Sequence, residues 1–329
     1  VKEETMLARA VKVLAATCAL LAFAPSTSHA QTYPSGPVKL IVPVPAGGVT
    51  DIMARIVAQR LTDPWGQSVV VENRPGGNTG VGAQAVERSP ADGHTLLVTS
   101  DATFTANPIL FSKLSYDPKQ FTPIIALCRT TPMLIVHPSV PVKSVQELIA
   151  YAKANPGKLT YGSFGIGTYS HLSMEDLKHR TGIEMVHVPY RGAAPALNGL
   201  LGGEVNVMFL TLASFEEHEK LGKVRILAAA TEKRAVARPE FPTVGESGLP
   251  GFQTSVWFGM WGPANLPPAV VSKIHADVSA VLELPTTRDY FVKNSFSRVD
   301  GSPTEFARLI ENDLRHWEAV IKTAGVKIE

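Results

Sequence analysis

Cysteine is nearly missing from this chain: 329 residues hold two, Cys18 and Cys128. Cys18 falls in a segment argued below to be removed, which excludes a disulfide scaffold. Cys128, inside the apolar stretch PIIALC, reads as a buried, inert thiol. Charge of one sign is lacking too, with 31 Lys+Arg against 29 Asp+Glu. Without a basic excess or a dense basic block, neither nucleic acid nor an anionic membrane surface has an electrostatic footprint to meet. The apolar run Val13 to Phe23 is too short to span a bilayer, and nothing later approaches a spanning segment.

Catalytic and metal signatures are missing as well. No G-x-x-x-x-G-K-[ST] phosphate loop and no G-x-S-x-G elbow occurs. The nine histidines show no H-x-x-x-H or Cys/His spacing, so no metal is expected and no cofactor. GVGAQA (Gly80 to Ala85) matches the letters of a dinucleotide fingerprint. However, RPGGNT separates it from the preceding strand, a longer turn than that motif allows.

What is present begins with a leader. Lys2, Arg9 and Lys12 precede the apolar run, and STSHA supplies small residues at Ser28 and Ala30, which predicts a secretory signal peptide over 1–30 cleaved after Ala30. Three basic and two acidic residues fall in it, leaving the remainder at a net charge of +1. Beyond it, short apolar runs alternate with amphipathic stretches. VKLIVP (38–43) reads as a buried strand, TDIMARIVAQRL as a helix with Ile52, Met53, Ile56, Val57 and Leu61 on one face, then SVVVEN (68–73) and HTLLVTS (94–100) as strands. The same grammar restarts after a Pro-rich passage. MLIVH (133–137) is a strand and SVQELIAYAKANPG a helix with a Ser144/Glu147 capping box. Then come a strand at 159–161, a helix from about Thr168, a strand at 185–189, a helix at 193–201 and the strands VNVMFL and VRILAAA (224–230). Helices close the chain, the last capped by Ser302, Pro303 and Glu305. This pattern predicts two α/β lobes, each a mostly parallel sheet flanked by helices.

In two places a strand, a glycine-rich turn and a helix start follow one another: VPVPAGGVTD (42–51) and YGSFGIGTYSH (161–171). The first amides of a helix have no intrahelical partner, and its dipole adds about half a positive charge there. Such a turn holds an anion without any basic side chain. With one turn in each lobe, a small molecule bearing a carboxylate at one or both ends suits a cleft between them. Ser163 and His171, eight residues apart, leave open a periplasmic hydrolase, although no acidic partner for the histidine is evident.

Segments carrying these features, VPVPAGGVTDIMAR, VVVENRPGGNTGVGAQAVERSPADGHTLL, HPSVPVKSVQELIAYAKANPGKLTYGS, MVHVPYRGAAPALNGLLGGEVNVMF and FPTVGESGLPGF, resemble the solute receptors of tripartite tricarboxylate transporters, the Bug-type receptors. The resemblance runs from about residue 33 to the C-terminus. It implies a type II-like two-lobe periplasmic binding protein, with lobe 1 from 31–132 and 254–329 and lobe 2 from 133–253. It also implies a monomer that delivers an organic acid to membrane permease subunits, with no catalysis; a sensory subunit shares the fold. By resemblance the cleft is lined by Val44, Ala46, Gly47, Gly48 and Asp51, by Ser100, Asp101 and Thr103, and by Ser163, Phe164, Gly165, Gly167, Thr168, Tyr169 and His171, with Arg191 as a further candidate. Where the family often has an aromatic residue, Pro and Asp, this chain has Val44, Ala46 and Leu210. Those departures imply a roomier, less polar cleft and a bulkier dicarboxylate, such as a phthalate isomer, over an amino acid.

Overall fold

The computed structural model describes residues 33–254 and 256–324, so the expected leader, 1–30, lies outside them. Val1–Ser35 and Gly36–Glu329 are separate units. Residues 33–35 hold no helix or strand, and all elements below belong to the second unit.

The chain begins with β1 (Val38–Val42), α1 (Val49–Trp65), β2 (Val69–Asn73), α2 (Gly80–Glu87), β3 (Thr95–Ser100), a short α3 (Asn107–Leu110) and β4 (Phe121–Thr130). After the single residue Thr131 come β5 (Pro132–Val136), α4 (Val145–Ala154), β6 (Thr160–Ser163), α5 (Tyr169–Thr181), β7 (Val186–Pro189), α6 (Ala193–Leu201), β8 (Val207–Thr211), α7 (Glu216–Lys220) and β9 (Arg225–Ala229). β10 (Val256–Pro263), α8 (Pro268–Glu283), α9 (Pro285–Lys293) and α10 (Pro303–Ala324) complete it.

Two five-stranded sheets form, ordered β2-β1-β3-β10-β4 and β7-β6-β8-β5-β9. β1 runs parallel to β2 and β3, and β6 parallel to β7 and β8. β10 and β5 run antiparallel to both their neighbours. The sheets are therefore mixed, where strand–helix alternation alone predicts parallel ones: the strand inserted at the fourth place arrives from the opposite half and runs against the rest. Replacing β1, β2, β3, β10 and β4 by β6, β7, β8, β5 and β9 converts one order into the other, so the architecture is one plan used twice.

Both faces of the second sheet are covered. Met133 and Ile135 of β5 pack with Met208 and Leu210 of β8 on one face, and Leu134 and Val136 with Val207 and Phe209 on the other. This is the period-two alternation of a strand buried on both sides. In the first sheet, Ile41, Leu97, Trp257 and Trp261 pack with Phe306 of α10. Buried Met53, Val57 and Leu61 line the inner face of α1, which ends at Gly66 in a left-handed cap (φ 58°). At α4, Ser144 Oγ accepts from the Glu147 amide at 3.1 Å, while the Glu147 carboxylate reaches back to the Lys143 amide at 2.7 Å, one residue beyond the expected capping box. At α10 the box closes as expected, with Ser302 N–H on Glu305 Oε2 (2.7 Å) and Glu305 N–H on Ser302 Oγ (3.3 Å).

α8 and α10 lie against β4, and α10 also reaches α5. Its last turns supply Trp317, Val320 and Ile321 to a cluster with Ala106 and Leu110 from the first half and Leu172 from the second. Cys128 is fully buried in β4, where burial pushes its thiol up and out of reach of ionisation.

Candidate ligand-binding site

β1 and β6 hold equivalent places in their sheets, and each runs into a glycine turn and a helix. In the first turn Ala46, Gly47 and Gly48 are exposed and Val44 half-buried. Gly47 adopts φ +94°, a conformation that favours glycine. Gly48 caps α1 without any side-chain hydrogen bond, leaving its first-turn amides without a partner in the helix. Asp51 lies behind the turn, 3% exposed. Its carboxylate accepts from the Gly47 amide (3.0 Å), from Arg55 Nε and Nη2 (2.9 and 3.0 Å) and from Asn73 Nδ2 (2.9 Å). Asn73 Nδ2 also donates to the Val44 carbonyl at 3.1 Å. Burial disfavours the Asp51 anion, yet the hydrogen bonds from Arg55, Gly47 and Asn73 prevail and hold it below the usual carboxylate range.

The second turn is more self-contained. The Phe164 amide donates to Ser170 Oγ (3.1 Å), the Gly165 amide to Ser163 Oγ (3.2 Å) and the Gly167 amide to His171 Nδ1 (3.2 Å), while Thr168 Oγ1 donates to the Gly165 carbonyl (2.7 Å). The hydroxyls of Ser163, Thr168 and Ser170 are thus engaged within the turn. The N-cap Thr168 makes no side-chain capping bond, and the first-turn amides of Tyr169 and Ser170 have no partner in the helix. Ser163 and His171 do not form the pair a hydrolase would need. Ser163 Oγ lies 2.7 Å from His187 Nε2 instead, and Ser163 is fully buried.

After β3, Ser100 is half-buried and leads into a 3-10 turn, Asp101–Thr103. Thr103 Oγ1 bonds Thr99 Oγ1 (2.7 Å) and Thr79 Oγ1 (2.9 Å), fixing this segment to the loop before α2. Asp101 is 3% exposed; burial, reinforced by Asp313, pushes its carboxyl well above the usual range. The Asp101 charge, when present, is felt by Tyr169 at the start of α5. Tyr169 also packs, with Ala102 and Ile109, against the Trp317 cluster, so the second turn's helix start lies against this segment. Arg191 is exposed between Tyr190 and Gly192, whose amides donate to the Ser163 and Phe164 carbonyls (2.9 and 3.0 Å), and Leu210 is 1% exposed in the second sheet's core. Trp257 is fully buried and donates its indole N–H to Asp313, a core position rather than a cleft wall.

Sequence reading missed the side chains that brace the turns: Asn73 and Arg55 in the first half, His187 in the second. Asn73 and His187 touch their turns from 22 or more residues away and Arg55 from the next helical turn, a relation local pattern does not display.

A family model described as the tripartite tricarboxylate transporter family receptor matches residues 53–326. Protein BugT of Bordetella pertussis is 32% identical over 302 residues, 91% of this chain and 93% of that protein. Among solved structures, that of R. palustris Rpa4515 with adipate is similar at a TM-score of 0.85 and 36% identity, over 90% of this chain and 99% of that one. MatC from Rhodopseudomonas palustris with bound malate has a TM-score of 0.80 at 30% identity, over 88% of this chain and 100% of that one.

Proposed function

The chain belongs to the family of tripartite tricarboxylate transporter receptors, and from that premise we propose that it binds a dicarboxylate between its two glycine turns and hands it to the permease subunits of such a transporter. Receptors of this family are periplasmic, bind small carboxylates and are not enzymes. The observation that carries the proposal is the pair of helix starts at Gly48 and Thr168, each without a side-chain cap and each following the equivalent strand of its sheet. Charge-assisted hydrogen bonds contribute about 1.5–3 kcal/mol each, so a few of them, less ordering costs, support affinities of about micromolar.

The two acids of these segments are already committed. Asp51 is taken by Arg55, Gly47 and Asn73, and Asp101 is buried where its anion is disfavoured. Neither offers a free carboxylate to an ammonium group, which favours a dicarboxylate over an amino acid. Val44 and Ala46 at the turn leave room for an aromatic diacid such as a phthalate isomer. On this reading Val44, Ala46, Gly47 and Gly48 face one end of the ligand. Phe164 to Tyr169 face the other, with Ser100 to Thr103 between. The receptor works as a monomer, exported with its leader removed after Ala30.

A thermal-shift and calorimetric panel of adipate, malate, phthalate, terephthalate, benzoate and aspartate tests this. Dicarboxylates should raise Tm, by the equivalent of about 2.7 kcal/mol at a hundredfold excess over Kd. Tight aspartate binding with no response to any diacid overturns the proposal; diacid binding without phthalates or terephthalate overturns its aromatic part.

A further inference from the structure

The two glycine turns share a bracing plan that extends the shared strand order. In each, the glycine preceding the N-cap has positive φ, +94° at Gly47 and +82° at Gly167. In each, that glycine's amide donates to the side chain four residues on, in the first turn of the helix: Asp51 at 3.0 Å and His171 at 3.2 Å. In each, the strand beside the turn's own strand sends one side chain to meet that acceptor. Asn73 of β2 bonds Asp51 at 2.9 Å; His187 of β7 stacks on His171 at 4.3 Å between ring centroids, with 13° between planes. Each of these also grips the turn directly, Asn73 at the Val44 carbonyl and His187 at the Ser163 hydroxyl.

We propose that His171 and His187 are positioning residues that hold the second turn in its ligand-ready shape, the counterpart of Asp51 and Asn73 in the first. The inference rests on the reading of these turns as the ligand site. A backbone amide can only donate, so His171 Nδ1 must accept, and the imidazole must be neutral with its proton on Nε2. The His187 ring stacks on Tyr161 at 4.7 Å and on His171 at 4.3 Å. The Ser163 hydroxyl it bonds also joins the Gly165 amide and carbonyl, each at 3.2 Å. Two bonds to the turn, at Ser163 and at Gly167, therefore run through one ring stack.

Protonation breaks this arrangement. An imidazolium at His171 would face the Gly167 N–H donor to donor, and two cationic rings 4.3 Å apart would repel. The ionisable groups facing the stack are Glu175 and Lys178 of α5 and Tyr161 of β6. Glu175 is occupied by Lys178 at 2.7 Å and by the Tyr161 hydroxyl, so it offsets only part of the cost. The first turn carries no such sensitivity, since Asp51 holds Gly47 as an anion bonded to Arg55.

The test uses the 15N-labelled full chain and three readouts between pH 4.5 and 8: imidazole 15N shifts, protection factors of the Gly47, Gly165 and Gly167 amides, and calorimetric affinity for adipate. At neutral pH His171 should be unprotonated at Nδ1. His187→Ala should lower protection at Gly165 and Gly167 at least tenfold and leave Gly47 within twofold, with adipate affinity falling tenfold or more. His187→Gln, which can still bond Ser163 but cannot titrate, should keep affinity at pH 7.5 within about threefold of wild type. It should also lose most of the acid dependence of Gly165 protection, which runs through Ser163, whereas Gly167 keeps the part that His171 contributes. Unchanged protection at Gly167 in both His187→Ala and His171→Ala overturns the inference, whether or not adipate binds. Lowered protection with unchanged adipate affinity overturns the ligand role. A wild-type chain that ignores adipate counts against the dicarboxylate reading alone, and the protection factors then decide whether the ring stack holds the turn. Should His187→Ala fail to fold, the pH profile of His187→Gln carries the same decision.

Discussion

Asp51 and Asn73 are joined by a 2.9 Å hydrogen bond across 22 residues of sequence, and together they anchor both ends of the first glycine turn, at Val44 and Gly47. Replacing Asn73 with Ala removes three hydrogen bonds, to Val44, Asp51 and Arg55, from a half-buried site. We expect a loss of about 1–2 kcal/mol of stability and weaker binding of any diacid that stabilises the wild type. Urea melts and calorimetry on Asn73→Ala check both, and an unchanged affinity would separate the brace from the site.

Gly47→Ala isolates the backbone conformation. Nothing lies within 4 Å of a Cβ placed there, so any penalty comes from φ +94° and not from collision. The expected cost is about 1–2 kcal/mol, and equilibrium unfolding measures it. A neutral result would mean the turn relaxes to another shape at no expense.

Acid should destabilise the protein through its stacked rings. His187 is depressed to about 4, by burial first and by His171 next, and burial lowers His171 as well. The unfolded chain takes up these protons near the ordinary imidazole value of about 6.5, whereas the folded chain resists until lower pH. Their contribution is therefore full above about 6.5 and is lost as pH falls toward 4. Thermal melts across that window should show a steeper decline for wild type than for His187→Gln.

Asp101 has the opposite sign. Its folded-state carboxyl is raised by burial and by Asp313, so the folded form holds a proton that the unfolded chain has already released. Stability from this group is full below the unfolded value near 3.8 and is lost as pH rises through the folded one. Asp101→Asn, neutral at every pH, should raise Tm most at pH 7–8 and little at pH 4. A uniform drop in Tm would show that the carboxyl makes a contact the amide cannot reproduce.

Trp317→Ala should be the most damaging of these changes, at about 3–5 kcal/mol. The side chain is 2% exposed, in the cluster that joins Leu110 to Leu172. Chemical unfolding gives the loss, and small-angle scattering with and without ligand shows whether the two halves still hold together.

Much of the fold could be read from the letters, for reasons visible at single positions. Met53, Val57 and Leu61 recur at helical spacing and are the residues α1 buries. The runs at β5 and β8 are buried on both faces and read as unbroken apolar stretches. β4 and β10 were harder. Pro123 interrupts the first, and Gly259 and Gly262 the second. The structure accepts Pro123 opposite Trp261 beside a register shift. It needs Gly259 because a Cβ there would come within 2.4 Å of Phe306. At the candidate site, both glycine turns announced themselves through Gly-rich letters between a strand and a helix. Their braces did not, since Asn73 and His187 meet them only through strand pairing set by the whole sheet.

The strand orders have a consequence for how the molecule is built as the chain emerges. The second sheet is contiguous in sequence, complete once Ala229 has appeared. Among the described residues β4 has β10 as its one neighbouring strand, with a further bridge from Arg129 to Ser297 later still in the chain, so it waits at an open edge until Val256–Pro263 is made. The half that is begun first is finished last, and truncation between residues 230 and 255 should leave a folded C-terminal fragment attached to an N-terminal one that cannot close.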